Sequence, residues 1–322
     1  MVRTVVGVLR GGTSGEYNLS LKTGAEIMRA LPEEQYDVHD ILIDKEGYWH
    51  SRGLRSTPAR ALTQLDVVLN ALHGGIGEDG TVQRILERTG VPYAGSRALA
   101  AAGALNKIRA RTILQESGVR MPEALAFTLR DSADTGEMSR HVFARFGPPY
   151  IVKPPNDGAG RGIRTASSVV DLPNALADVL DAYGAALVEE YVRGEEASVG
   201  LIEGFRGEEL YALPPAHVMK EGLHLGPEHH ESGELRHLTP STFSYGQKQT
   251  LADTARMAHK ALGLMHYSRS DLIVTRHGVY LLEVNSTPGL YAGASFPHML
   301  EAVGSTVTEF LEHAIQLARS TR

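Results

Sequence analysis

Cysteine is missing from this chain altogether. Disulfides, thiolate metal sites and cysteine nucleophiles are thereby excluded. Basic residues are in the minority, 32 Lys and Arg against 38 Asp and Glu, for a formal net charge of −6. That balance argues against a general nucleic-acid binder. No stretch approaches the ~18 apolar residues that a membrane span requires. There is no internal repeat and no low-complexity linker. The opening "MVRTVVGVLRGGTSGE" has a short apolar run that breaks at Gly11, which reads as a first strand and turn rather than a signal peptide. The expectation is a cytoplasmic protein that engages neither membrane nor nucleic acid.

What the sequence does contain is the texture of a folded enzyme. A length of 322 residues is too great for one comfortable core and suggests two or three domains. Apolar residues make up 42% and charged residues 22%, as in ordinary globular proteins. The 34 glycines imply many tight turns and close backbone approaches.

The first third alternates strand and helix signals. "TVVGVL", "YDVHDILI" and "LDVVLNAL" read as strands, "LSLKTGAEIMRAL" and "TVQRILERTG" as helices. Such alternation implies a parallel sheet with helices on its faces. From Leu105 onward the pattern becomes α+β. A helix, "NKIRARTILQESG", leads into antiparallel strands around a polar glycine loop, "PYIVKPPNDGAGRGIRTAS". The helix "DLPNALADVLDAYG" and the strand "ALVEEYV" follow. The last third holds one long helix, "SYGQKQTLADTARMAHKALGL", then a hairpin and C-terminal helices. Domain boundaries are expected near residues 98 and 186, giving segments 1–98, 99–186 and 187–322.

The hairpin "RSDLIVTRHGVYLLEVN" poses a chemical question. Glu283 and Asn285 interrupt an apolar strand on one face, because side chains alternate along a strand. A three-residue loop, Arg276-His277-Gly278, would pair Thr275 with Val279. Asp271 then falls opposite Glu283, and Arg269 opposite Asn285. Two carboxylates side by side repel. Either divalent cations sit between these hard oxygen donors, or Arg269 forms an ion pair with one carboxylate and no metal is present. Elsewhere, Lys153 ends a strand just before Gly158, Gly160 and Gly162, a placement suited to phosphates or to an ordinary hairpin turn. "LVEEYVRGEE" is either a nucleotide-facing strand edge or a solvated acidic loop.

Taken in order, these segments resemble the ATP-grasp enzymes, and within them the D-alanine–D-alanine ligase family. The resemblance spans nearly the whole chain. It rests on "RGGTSGEYNLSLKTG", "LHGGIGEDGTVQRILERTGVPYAGS", "NKIRARTILQESGV", "PYIVKPP", "LVEEYVRGEEASV", "SRSDLIV" and "LLEVNSTPG". It implies an α/β, Rossmann-like pre-ATP-grasp domain followed by a two-lobed α+β ATP-grasp fold. It also implies an ATP-dependent carboxylate–amine ligase making D-alanyl-D-alanine for peptidoglycan through an acyl phosphate. The alternatives it leaves are a ligase with another acceptor, or a nucleotide-binding homologue without catalysis. A homodimer is implied as well.

The resemblance further assigns residues. Lys107 and Lys153 would contact ATP phosphates. Glu189, Glu190 and Val192 would line the adenine, and Glu196 would take the ribose. Asp271, Glu283 and Asn285 would hold two Mg²⁺ or Mn²⁺ ions. Arg269 and the backbone N–H of Gly289 would stabilise the tetrahedral oxyanion. Glu16 would bind the ammonium of the first amino acid, with His73 near its carboxylate. The loop 158–162 and the stretch 220–240 would act as lids.

Three departures from the family pattern all fall on the substrate side. The glycine loop usually reads Gly-Ser-Ser-Val-Gly; here Ala159 replaces the first serine and Arg161 adds a cation. The lid usually carries Lys-Tyr, where this chain has His230-Glu231. The serine expected five residues after Gly289 is Ala294, with Ser295 one step late. Arg161 or Ser295 would then be left to hold the acceptor carboxylate.

Overall fold

The computed structural model describes residues 3–131, 134–219 and 236–320. The first sheet contains β1 (Thr4–Gly11), β2 (Tyr36–Ile43), β3 (Trp49–Ser51), β4 (Leu54–Ser56), β5 (Val67–Asn70) and β6 (Tyr93–Ala94), in the order β4-β3-β2-β1-β5-β6. β1, β2, β5 and β6 run parallel, as the alternating pattern requires. β3 and β4 extend the edge as an antiparallel hairpin. The sequence reading missed them, because three-residue strands are too short to show a period. β1 and β5 are central and buried on both faces, so they are nearly continuous apolar runs.

Helices α1 (Tyr17–Ala30), α2 (Pro58–Ala61) and α3 (Thr81–Thr89) follow strands of this sheet. α3 stops at Gly90, which adopts φ 71° and returns its N–H to the Leu86 carbonyl, a conformation that glycine reaches without strain. One face of the sheet packs Leu9, Ile41, Trp49, Leu72 and Leu86 together. The other face packs Val6, Val8, Val67 and Leu69 with Ile27 of α1.

Two short helices, α4 (Ala98–Leu105) and α5 (Lys107–Glu116), lead to the second sheet. Asn106 caps α5 by accepting the Arg109 N–H at 2.9 Å. The second sheet has β7 (Ala124–Thr128), β8 (Tyr150–Lys153), β9 (Arg164–Ala166) and β10 (Ala185–Glu190), ordered β7-β10-β8-β9 and antiparallel throughout. α6 (Thr135–Arg145) and α7 (Leu172–Tyr183) cover it and share a core with Tyr150, Val152 and Val188.

The third sheet has β11 (Glu195–Glu203), β13 (Ala216–Met219), β14 (Arg236–Leu238), β15 (Tyr267–Thr275) and β16 (Gly278–Asn285), ordered β14-β13-β11-β15-β16, with β12 (Leu210–Ala212) on β11. α8 (Tyr245–Ala261) packs on it, started by a capping box between Ser244 and Gln247. Ala110 and Leu114 of α5 belong to this same core, with Leu251, Leu272 and Leu281. α9 (Ser295–Glu301) and α10 (Val307–Ser320) turn back. Phe296 and Phe310 pack against Val6, Val67 and Leu69 of the first sheet, their rings 5.1 Å apart. Full burial of each such ring contributes about 1.5–3 kcal/mol, so the chain's end is fastened to its beginning.

The β15–β16 hairpin corrects one detail of the sequence reading. Thr275 pairs with Gly278, not Val279, and the loop is the two residues Arg276-His277. A register shift between Asp271 and Leu272 then restores the pairing of Asp271 with Glu283 and of Arg269 with Asn285. Leu282 is the extra residue of this bulge. Gly278 does take positive φ, 126°, but as the first strand residue rather than the last loop residue.

Candidate active site

The three sheets meet at a cavity of about 230 Å³. The described residues named for nucleotide, metal and substrates line it: Glu16, His73, Lys107, Lys153, Ala159, Arg161, Glu189, Glu190, Val192, Glu196, Arg269, Asp271, Glu283, Asn285, Gly289, Ala294 and Ser295. They come from all three sheets, so the fold is what brings them together.

One wall is a ladder of alternating charge. Asp271 is saturated by four donors. Arg269 Nε and Ser198 Oγ reach Oδ1 at 3.0 and 2.7 Å, and Arg269 Nη2 and Asn285 Nδ2 reach Oδ2 at 2.7 and 3.0 Å. Burial alone would lower the Arg269 pKa, but Asp271 outweighs it and the guanidinium is held more firmly charged. The ion pair weighed as an alternative to metal is therefore present. Glu283 lies 3.3 Å from Lys107 Nζ. Burial would raise its pKa, yet Lys107, Lys153 and Arg269 hold it down at about 2. Lys107 also donates to the Asp157 carbonyl at 2.6 Å, tying α5 to the glycine loop.

The donor set suits a hard divalent cation: two carboxylates and an amide oxygen on one sheet face. Among the described residues no three His, Asp or Glu side chains converge as a ready-made cage. A cation at Asp271 must therefore displace one of its present donors and draw further ligands from a bound phosphate.

A second wall is acidic. Glu16, at the start of α1, is partly buried beside Glu78, Asp157 and Glu283; desolvation first, and then those neighbours, push its carboxyl up to about 8. The glycine loop comes so close that a Cβ at Gly158 would stand 2.5 Å from Glu16 Oε1. Glu78 accepts the Gly74 N–H at 2.8 Å and the Ser286 hydroxyl at 3.1 Å. His73 is kept neutral, its pKa lowered to about 4 by burial and by Arg269. Its Nε2 lies 2.7 Å from Thr23 Oγ1, and it also bonds the Thr287 backbone.

The glycine loop closes the top. Ala159 sits at φ 49°, a left-handed conformation unusual for a residue with a Cβ. Arg161 lies across Gly15, where a Cβ would collide with the guanidinium. In the base of the cavity, Glu189 is committed to cations. Its Oε2 is 2.7 Å from Lys153 Nζ and its Oε1 3.1 Å from Arg111 Nη2. Glu190 Oε1 accepts the Glu123 N–H at 2.9 Å.

The lid residues His230 and Glu231 lie outside the described residues, as do 220–235 in general. Sequence reasoning missed Glu78, Ser198, Arg111 and Tyr291. Glu78 stands inside the quoted "HGGIGEDG", and Arg111 is one helical turn from Lys107, so both carried a signal. Ser198 and Tyr291 carried none that a single sequence displays.

The family model described as D-ala D-ala ligase C-terminus matches residues 113–316, and that for the D-ala D-ala ligase N-terminus matches 5–61 and 50–96. A protein named D-alanine–D-alanine ligase from Desulforudis audaxviator is 33% identical over 322 residues, 99% of each chain. The solved D-alanyl-alanine synthetase A of Vibrio cholerae superposes with a TM-score of 0.87 at 24% identity, covering all of both chains. A D-alanine–D-alanine ligase of Bacillus anthracis, complexed with ATP, gives 0.81 at 24% identity over 98% of this chain and 97% of that one. These superpositions match the whole three-sheet fold.

Proposed function

The chain belongs to the D-alanine–D-alanine ligase family, and from that premise we propose that it joins two D-alanine molecules at the expense of ATP, a step toward peptidoglycan. The observation that carries this reading is the convergence of Lys107, Lys153 and Arg269 on Glu283 and Asp271 within one cavity. Phosphoryl transfer needs charge neutralisation and positioning more than it needs a protein nucleophile.

In this reading Glu189, Glu190 and Val192 lie along the adenine and Glu196 takes the ribose. The Glu189 carboxylate is engaged with Lys153 and Arg111 and its backbone lies within the β7-β10-β8 ladder, so its part is to wall the site beside the base. Lys107 and Lys153 hold the phosphates. Asp271, Glu283 and Asn285 would hold two Mg²⁺ or Mn²⁺ ions, which would neutralise the transferring phosphoryl group when bound.

Glu16 receives the ammonium of the first D-alanine. With a carboxyl held near 8, it is mostly protonated at neutral pH, and an arriving cation favours its ionised form. A carboxylate oxygen of that D-alanine attacks the γ-phosphorus and ADP leaves, giving an acyl phosphate. The amine of the second D-alanine attacks the acyl carbon. Arg269 and the Gly289 N–H stabilise the oxyanion. The intermediate collapses, the C–O bond to phosphate breaks, and the nitrogen loses a proton. The loop 158–162, closed on Gly15 and Glu16, excludes water from the labile intermediate.

A cytoplasmic homodimer belongs to the same proposal. The deciding experiment measures phosphate release and dipeptide with ATP, Mg²⁺ and a panel of D- and L-amino acids. Formation of D-alanyl-D-alanine is expected. ATP-dependent turnover confined to another amino acid, or no turnover at all, would overturn the reading.

A further inference from the structure

We propose that Arg111, which does not line the cavity, is a positioning residue that keeps the Lys153 ammonium free to meet the phosphates of ATP. The proposal rests on the ligase reading for its consequence in catalysis. Its physical basis stands apart from that reading.

α5 presents Lys107 and Arg111 four residues apart, hence on one face. Two like charges there disfavour the helix unless each meets an anion. Lys107 meets Glu283 and Arg111 meets Glu189. The Arg111, Glu189 and Lys153 side chains are only 8%, 5% and 8% exposed. Arg111 Nη1 donates to the Pro122 carbonyl at 2.6 Å, and its Nε has no partner. Such a group is costly to bury, and replacing buried ion pairs by apolar residues is often neutral or stabilising. Stability alone gives little reason to keep it.

Charge gives a better one. Glu189 paired with Lys153 alone would make a neutral couple, and the lysine would present little net charge to a polyphosphate. Arg111 is permanently cationic. It approaches Glu189 on the other carboxylate oxygen and leaves the triad with one net positive charge. Of these cations only Lys153 lines the cavity. Two of its three N–H donors remain for phosphate oxygens.

The test compares Arg111→Met, Arg111→Lys and the double variant Arg111→Met with Glu189→Gln. ATP binding is measured directly by calorimetry with Mg²⁺, alongside separate KM values for ATP and D-alanine and thermal melts. Arg111→Met should weaken ATP binding about ten- to a hundredfold, the scale of a hydrogen bond to a charged group, with D-alanine KM little changed. Arg111→Lys should restore most of the affinity. The double variant, which returns the net charge to one, should recover affinity above the single variant. It leaves no buried carboxylate sharing one cation, so it remains informative even where Arg111→Met fails to fold. Unchanged ATP affinity in Arg111→Met, parallel rises in both KM values, or no recovery in the double variant would overturn the proposal. Should ATP affinity respond as expected in a protein that does not ligate D-alanine, the ligase reading falls and the charge device stands.

Discussion

Asp271 and Glu283 face each other across the β15–β16 ladder, yet each carboxylate meets a different cation: Asp271 meets Arg269 and Glu283 meets Lys107. Two opposed carboxylates on one sheet face are tolerated because the cleft surrounds them with three basic side chains. Replacing part of that positive charge by a divalent cation and a polyphosphate is then an exchange of partners, not the burial of new charge.

Glu283→Gln tests this directly. The volume barely changes, so the fold should be kept, but the carboxylate that meets Lys107 is lost and with it the stability that its lowered pKa contributes at neutral pH, so the melting temperature should fall. Turnover should be abolished, because a neutral amide binds a hard cation weakly. Steady-state phosphate release at normal rates in low-millimolar Mg²⁺ would remove Glu283 from the metal assignment.

The loss of Arg269 should separate chemistry from binding. If the guanidinium stabilises the oxyanion, Arg269→Ala should lower kcat about 100- to 1,000-fold and leave ATP affinity nearly intact. Collapse of nucleotide affinity with kcat preserved would instead make Arg269 a structural partner of Asp271.

Much of this hairpin was legible in the sequence, and in an instructive way. Alternation placed Glu283 and Asn285 on one face, and the opposition of Asp271 to Glu283 is present. The assumed loop was one residue too long, however, and the bulge at Leu282 cancels that error at Asp271. Bulges depend on how a strand bends against its neighbours, which no local pattern records. Contacts of long sequence separation were equally hidden. Arg111 and Glu189 are 78 residues apart, and only the packing of α5 between two sheets joins them. The cluster around Glu16 gathers Glu78, Asp157 and Glu283 from three parts of the chain, so the motif alone gave the residue but not its protonation.

That protonation has a measurable sign. The Glu16 carboxyl is raised from an ordinary 4.5 to about 8. Its contribution to folding is fully present below pH 4.5 and is lost as pH rises through about 8, because the unfolded chain ionises first. Glu16→Gln cannot ionise. Its melting temperature should gain on wild type between about pH 5 and about pH 8, then hold a constant lead above. A flat difference over that range would show that Glu16 titrates normally and is not partly buried among carboxylates.

The substrate side offers the last test, at Ala294. This residue lines the cavity and is also the N-cap of α9, at φ −76° and ψ 149°, with no side-chain cap. A serine there has suitable backbone geometry to accept a helix N–H. The N3 position is Pro297, which has no N–H to give, so the partner is Phe296 at N2. A cap of this kind stabilises by about 1 kcal/mol. The hydroxyl proton stays available and can be donated to an acceptor carboxylate in the cavity, where a hydrogen bond to a charged group is worth about 1.5–3 kcal/mol. Ala294→Ser should therefore raise the melting temperature and lower D-alanine KM several-fold, with ATP KM unchanged. Ala294→Gly is itself a better N-cap than alanine but lacks the hydroxyl, so it should leave D-alanine KM unmoved. A stability gain with D-alanine KM unmoved would show that the hydroxyl points away from the substrates, and that this chain holds its acceptor by other groups, Ser295 or Arg161 among them.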